Sequence, residues 1–273
     1  MPELPEVETV RRCLEHHLDG LGVVRVEGKP IAMRRALDPS ELSRRLEGRE
    51  LTAARRRGKY LLLDFGEHGS LLVHLGMSGR LTLASPEWPV LPHTHLELHL
   101  SDGRQLRFVD PRRFGFAQWL CAGEESSDPS LARLGVKPLR HDLDIILPAM
   151  YRRSRAPLKS LLLDQRLVVG IGNIYATEAL WRARIRPGRP GNATSVARLE
   201  VLAGVVRDVL EEAIAQGGTT LRDFASPEGG DGYFAVRLQV YGKHGSPCPA
   251  CRRELSNAVI AGRATAWCKR CQR

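Results

Sequence analysis

The segment from Leu4 to Leu18 places Val7, Val10, Leu14 and Leu18 at helical spacing, with Arg11, Arg12, Glu15 and His16 between them, which predicts one amphipathic helix. From about Val23 to Leu120 the apolar period shortens. Tyr60 to Phe65, Ser70 to Leu75, Leu96 to Leu100 and Gln105 to Val109 each read as a strand, and Asp102-Gly103 supplies a hairpin turn between the last two. The expectation is an antiparallel β domain. After the polar stretch Glu124 to Ser130, helical periodicity returns near Leu158 to Leu163, Tyr175 to Trp181 and Leu199 to Ile214, so a second domain is expected to begin near residue 135. The stretch from Tyr233 to Arg273 returns to β-like alternation around four cysteines. The chain is therefore divided into residues 1–134, 135–232 and 233–273, with no internal repeat and no low-complexity tract.

Composition supports this division. A chain of 273 residues, 42% of them hydrophobic, is long enough for two packed domains and a small appendage. The 41 Lys and Arg residues exceed the 31 Asp and Glu residues by 10, which favours a polyanionic partner. Only six of those cations are lysines, so arginine supplies nearly all of the charge, together with planar bidentate donors suited to phosphates and base edges. No basic segment leads into an apolar run at the N-terminus and no 18-residue apolar stretch occurs, so neither a signal peptide nor a membrane span is expected. The cytoplasm is the expected compartment.

Six cysteines are too few and too unevenly placed for a disulfide framework. Cys13 and Cys121 stand alone and are expected in the core. The other four, Cys248-x2-Cys251-x16-Cys268-x2-Cys271, have the spacing of two knuckles joined by a hairpin, which brings four thiolates to one tetrahedral Zn²⁺. With all four positions filled by protein, such an ion is structural. Between the knuckles, Gly262 permits a tight turn and leaves Arg263 at the tip as a rigidly held probe.

Pro2 becomes the candidate nucleophile once Met1 is removed, which its small side chain permits. An α-amino group titrates near ~7.7–8.0, so roughly a tenth to a fifth is free amine at neutral pH, against well under a thousandth for an ordinary lysine. A secondary amine can attack a sugar C1′ and form an iminium. The positive end of the helix that follows lowers its basicity further. Attack at C1′ needs an acid nearby, and Glu3 is the neighbouring candidate.

The opening Met1-Pro2-Glu3-Leu4-Pro5-Glu6 resembles the formamidopyrimidine-DNA glycosylase family, also called 8-oxoguanine DNA glycosylase. So do Gly58-Lys59-Tyr60, His74-Leu75-Gly76-Met77-Ser78-Gly79, Asp110-Pro111-Arg112-Arg113-Phe114-Gly115, Gly170-Ile171-Gly172-Asn173-Ile174-Tyr175 and the cysteine ribbon. The order of these motifs and their spread over the whole chain make the joint resemblance specific. It implies an α+β fold: an N-terminal antiparallel β-sandwich carrying the first helix, a helix-two-turn-helix domain, and a C-terminal zinc-ribbon β-hairpin.

The resemblance also implies roles. Glu3 becomes a proton donor, Glu6 an organiser of the site, Lys59 a lesion-side contact active in β-elimination, and Arg263 a participant in δ-elimination. Met77, Arg112 and Phe114 become the trio that fills the hole left by an extruded nucleotide, with the arginine facing the orphaned base. Their residue types suit that task, and the glycines at 76, 79 and 115 favour exposed loops. The cationic run Arg152-Arg153-Ser154-Arg155, Lys159 and the Gly170 to Asn173 turn read physically as a phosphate site at a helix start with free N–H groups. In the family, Lys159 and Asn173 grip the backbone around the lesion. His74, His93 and Tyr241 are further implied DNA contacts, and the glycine-rich stretch from Gly217 to Tyr233 is implied to cover the flipped base. Ala266 before Trp267 departs from the two aromatics that relatives often carry there.

The reading is a monomeric bacterial enzyme, nucleoid-associated, that excises 8-oxoguanine and ring-opened purines from double-stranded DNA and nicks the strand by β,δ-elimination. Two rivals are an endonuclease VIII-type enzyme acting on oxidised pyrimidines, and a non-catalytic zinc-ribbon DNA-binding protein. Leu4 and the set Met77, Arg112 and Phe114 favour the purine branch. Intact Pro2, Glu3 and Lys59 disfavour a mere binder.

Overall fold

A computed structural model describes residues 2–18, 20–217 and 238–273. They fall into two compact units, one built on Pro2 and Glu6–Ala132, the other on Glu3–Pro5 and the described residues from Arg133 onward.

In the first unit, helix α1 (Leu4–Leu18) follows the predicted bounds, and Val7, Val10, Leu14 and Leu18 enter the core from one face. Eight strands follow: β1 (Val23–Gly28), β2 (Ala53–Arg57), β3 (Tyr60–Asp64), β4 (Gly69–His74), β5 (Arg80–Ala84), β6 (Thr94–Leu100), β7 (Gln105–Val109) and β8 (Phe116–Cys121). They form two four-stranded antiparallel sheets, ordered β1-β6-β7-β5 and β2-β3-β4-β8. Alternate residues such as Leu61 and Leu63, Leu71 and Val73, Leu96 and Leu98, and Leu106 and Phe108 meet in one core, the arrangement of a sandwich. Truncating one of these leucines to alanine costs about 2–5 kcal/mol.

Periodicity does not reveal helix α2 (Pro39–Leu46), because only Leu42 and Leu46 mark its apolar face. Its signal is local: Asp38 accepts from the N–H groups of Ser40 (3.0 Å) and Glu41 (3.1 Å), and a proline follows at the first helical position. The run Arg55-Arg56-Arg57, which precedes a predicted strand, is itself part of strand β2. Cys13 and Cys121 are half-buried rather than core.

The second unit holds α3 (Leu143–Tyr151), α4 (Leu158–Leu163), α5 (Asn173–Arg182) and α6 (Val196–Ala215) around Leu147, Tyr151, Leu162, Tyr175, Leu202 and Val206. Helix α3 is not legible as a period, since Pro148 sits inside it. The unit ends in the hairpin β9 (Ser256–Ile260) and β10 (Arg263–Trp267), turned by Ala261 (φ 52°) and Gly262 (φ 68°). Two successive left-handed residues give the turn type whose twist matches a two-residue hairpin. Val240, Leu255, Cys248 and Cys268 form a small core beneath it, with Trp181 packed alongside, so Ala266 leaves the ribbon a filled interior. The stretch expected to cover a flipped base lies, after Gly217, outside the described residues, as does the expected domain boundary at 232–233.

Candidate active site and metal centre

In the first unit, Gly58 (φ 61°) and Lys59 form the turn between β2 and β3, leaving Lys59 half-buried beside the cross-strand pair Tyr60 and His74. The His74 ring lies 4.8 Å from Tyr60 and is stacked at 5.9 Å on Phe116. Its Nδ1 accepts from the Gly76 N–H at 3.0 Å, which leaves Nε2 as the protonated nitrogen of the neutral ring. Burial, with the positive charges of Arg34, Lys59 and Arg35, pushes its pKa down to about 3. No motif or period in the sequence points to Arg35. That guanidinium lies 4.5 Å over the Phe116 ring and is fixed by Asp128, Gln118 and Ser130.

Met77 (38% exposed) and Phe114 (46%) sit on two turns joined through one carboxylate. Asp110, fully buried, accepts from the Ser78 hydroxyl (2.7 Å) and from the N–H groups of Arg112 (3.3 Å) and Gly115 (2.8 Å). The turns touch so closely that a Cβ on Gly76 would stand 2.4 Å from the Gly115 nitrogen, and one on Gly115 would stand 2.5 Å from the His74 carbonyl oxygen. The exposed Arg112 guanidinium rests 4.8 Å over the Phe114 ring. These three side chains are thus solvent-facing on a rigid base, against the usual preference of methionine and phenylalanine for a core. His93 is exposed with a left-handed backbone (φ 67°), its carbonyl accepting from the Asp110 N–H. Pro2 is half-buried and Glu6 buried. Next to them in sequence, Glu8 is buried too, but hydrogen bonds from Arg11 and Arg56 outweigh that burial and hold its pKa at about 2.

In the second unit the structure corrects one expectation. The N–H groups at the start of α5 are not free for a phosphate: the buried Glu3 carboxylate accepts from Gly172 (2.7 Å), Ile174 (2.9 Å) and Tyr175 (3.4 Å). An anion at a helix N-terminus is favourable, and here the protein supplies its own. The glycines serve that packing, since a Cβ on Gly172 would stand 2.3 Å from the Glu3 carboxyl carbon and one on Gly170 2.6 Å from Leu4.

Lys159, expected to grip the DNA backbone, is completely buried, and its Nζ donates to Thr265 Oγ1 (2.5 Å) and the Ala264 carbonyl (3.3 Å) of β10. Burial, opposed by Glu3 and reinforced by Arg263, lowers its pKa to about 8. Asn173 donates to the same Ala264 carbonyl (3.2 Å), while its own Oδ1 is buried without a partner. Arg263 is exposed at the first position of β10 and Arg155 is exposed before α4. Tyr241 is held by a residue that no sequence motif marks: Glu178 of α5, buried, accepts from the N–H groups of Gln239, Val240 and Tyr241 at 2.7–2.9 Å.

The Sγ atoms of Cys248, Cys251, Cys268 and Cys271 all lie within 4.8 Å of one another, with separations of 3.5 Å (Cys251–Cys268) and 4.0 Å (Cys248–Cys271). A tetrahedral zinc with bonds of about 2.3 Å needs sulfurs roughly 3.8 Å apart. The cluster therefore fits one structural Zn²⁺ with no position left for a reacting molecule. Among the described residues no helix is long and apolar enough to cross a membrane.

The same arrangement recurs in known proteins. The formamidopyrimidine-DNA glycosylase N-terminal domain matches residues 1–117, the H2TH domain of that glycosylase matches 134–225, and the zinc finger found in FPG and IleRS matches 245–273. The formamidopyrimidine-DNA glycosylase of Stenotrophomonas maltophilia strain R551-3 is 49% identical over 278 residues, covering all of both chains. The crystal structure of the MutM (Fpg) protein of Thermus thermophilus has 41% identity and a TM-score of 0.86, over 99% of this chain and 98% of that one. A mutant of the Lactococcus lactis protein, in complex with a Fapy-dG containing DNA, has 33% identity and a TM-score of 0.91 over the full length of both.

Proposed function

The chain belongs to the formamidopyrimidine-DNA glycosylase family, and from that premise we propose how its residues carry out the family's chemistry, the excision of oxidised purines from DNA followed by strand cleavage as a lyase. Its substrates are 8-oxoguanine and formamidopyrimidines in double-stranded DNA. It works as a monomer in the bacterial cytoplasm, associated with the nucleoid.

The unprotonated nitrogen of Pro2 attacks C1′ of the extruded nucleotide. The C1′–N bond breaks and the base leaves with a proton; the attached nitrogen then gives up its own proton and expels O4′, which is protonated as the sugar ring opens, so that an iminium joins protein to sugar. Loss of a C2′ proton then expels the 3′ phosphate, and a further elimination expels the 5′ phosphate. Glu3, adjacent to the nucleophile, delivers the proton, and its three backbone donors stabilise the carboxylate that remains. Glu6 supports this geometry, Lys59 assists β-elimination and Arg263 δ-elimination.

Met77, Arg112 and Phe114 occupy the vacated stack. Extrusion costs a few kcal/mol, which an apolar wedge and a planar donor offset. His74 offers a neutral Nε2–H to a phosphate, and His93, Arg155, Asn173 and Tyr241 hold the strand. Lys159 belongs to this group as a support for β10 and not as an exposed grip. The observation that carries the reading is the exposure of Met77, Arg112 and Phe114 on turns locked by Asp110, since packing alone gives no reason to expose them.

Borohydride trapping on a duplex with 8-oxoguanine tests it. A covalent adduct at Pro2 is expected, and no adduct from protein beginning at Pro2 would leave only a binding function. Preferential excision of thymine glycol would favour the endonuclease VIII-type rival.

A further inference from the structure

Several arginines of this chain sit in ion pairs. Arg11, Arg35, Arg56, Arg107, Arg166 and Arg182 each meet a carboxylate within 3.1 Å. One cavity of the second unit, of about 460 Å³, is built differently. Its walls carry Arg186, Arg189, Lys269 and Arg273 around Trp267 and Gln272; no lining side chain is acidic, and the main-chain oxygen of Arg273 is taken up by the Arg198 guanidinium at 2.7 Å. None of the four cations has a carboxylate partner among the described residues.

Two of the four cations are held in place in advance. The Arg186 guanidinium lies 5.1 Å over the Trp267 ring, and Arg189 donates twice to the Ala193 carbonyl (3.1 and 2.7 Å). Gln272 clamps the floor, accepting from the Cys268 N–H (2.8 Å) and donating to the Ile185 carbonyl (2.9 Å). Arg273 closes the wall through its N–H to the Arg184 carbonyl (3.2 Å). A concavity lined by one sign of charge concentrates counter-ions, and guanidinium forks suit phosphate oxygens above other anions. Arg186 and Arg189, already held by an aromatic face and a carbonyl, give up little freedom on binding.

The position of the cavity selects the phosphate's source. Arg263, Thr265 and Trp267 are alternate residues of β10 and project from one face of the ribbon. Four steps of strand span about 13 Å, a distance covered by a few successive phosphates of one DNA strand.

We propose that the cavity between Arg186, Lys269 and Trp267 is a second phosphate site, which holds the DNA backbone a few nucleotides from the point engaged by Arg263. It rests on the DNA-repair reading above and adds an anchor outside the lesion.

The test compares the full-length protein with R186Q/K269Q, using a lesion duplex and the same duplex with one neutral methylphosphonate linkage placed one to four nucleotides from the lesion on either side. The plot of log affinity against log salt is expected to become shallower by roughly one in the double variant, for the one phosphate no longer neutralised. At one placement the neutral linkage should weaken the unmodified protein at least five-fold and leave the double variant unaffected. Lys269→Arg should keep the original slope, and equal zinc content should exclude misfolding. Equal slopes, or equal responses to the neutral linkage, would overturn the proposal, as would inorganic pyrophosphate binding at these residues with the DNA slope unchanged. Borohydride trapping on the same samples separates the two readings: trapping by both proteins with equal slopes removes the second site alone, whereas absence of trapping counts against the glycosylase chemistry.

Discussion

The Nζ of Lys159 donates to the hydroxyl of Thr265 at 2.5 Å, so a cation sealed inside the second unit holds the strand that begins at Arg263. Replacing Lys159 by alanine leaves Thr265 Oγ1 without this donor in a dry site, at a cost of about 1–3 kcal/mol. The expected phenotype of K159A is therefore lower stability together with loss of δ-elimination relative to base release. Product analysis that separates β- from δ-elimination checks it, and an unchanged ratio would show that Arg263 does not depend on Lys159.

The same lysine predicts a pH signature. Its pKa is about 8 in the fold, below the unfolded value near ~10.4, so between these the unfolded chain binds the extra proton and stability from this group rises with pH. Denaturant unfolding from pH 8 to 10 should show that upward contribution in the parent protein, and K159M should lack it. Identical slopes would refute the assignment.

His74 behaves oppositely to a physiological switch. With a pKa near 3 it stays neutral while an unfolded histidine protonates near ~6.5, so its contribution to stability is present above pH 6.5 and is lost as pH falls toward 3. Its imidazole nitrogens, followed by NMR, should show a single neutral Nε2–H form from pH 5 to 8. Arg35→Met removes one of the nearby charges and the cation above Phe116, and should raise the His74 pKa.

Asp110 supports a fourth expectation. D110A removes the acceptor for Ser78 and for two backbone N–H groups, and should cost several kcal/mol in stability or local order. Base extrusion, read by 2-aminopurine fluorescence opposite or beside the lesion, should fail more severely than binding of undamaged duplex.

Gly172→Ala offers a test confined to the acid. The added methyl would stand 2.3 Å from the Glu3 carboxyl carbon, so the carboxylate must leave its backbone donors. Base excision should fall by at least ten-fold, while strand cleavage at a ready-made abasic site, which needs no departing base, should fall less. Equal losses in both assays would argue that Glu3 acts elsewhere.

The features legible in the sequence are those whose information is local and repeated. The helix through Leu18, the strands ending at Asp64, His74, Leu100 and Val109, and the four cysteines all follow from a period or a spacing. Helices α2 and α3 escape because one shows a single apolar pair and the other contains a proline. Motif and residue type single out Met77, Arg112 and Phe114; the motif includes Asp110 without its role, and nothing marks Arg35 or Glu178, because these three act through partners 32 to 93 positions away. Lys159 and the Gly170 to Asn173 turn mislead for the same reason. A basic residue and a glycine-rich helix start look open to solvent until the distant Thr265 and Glu3 are seen to occupy them.

Because one carboxylate ties the Met77 turn to the Arg112 turn, the two segments form a single heritable block. An insertion in either would break the shared anchor, so length variation among descendants of this chain should be purged from both loops or appear in both together. The wedge is in that sense constrained as one part, although its pieces lie more than thirty positions apart in the gene.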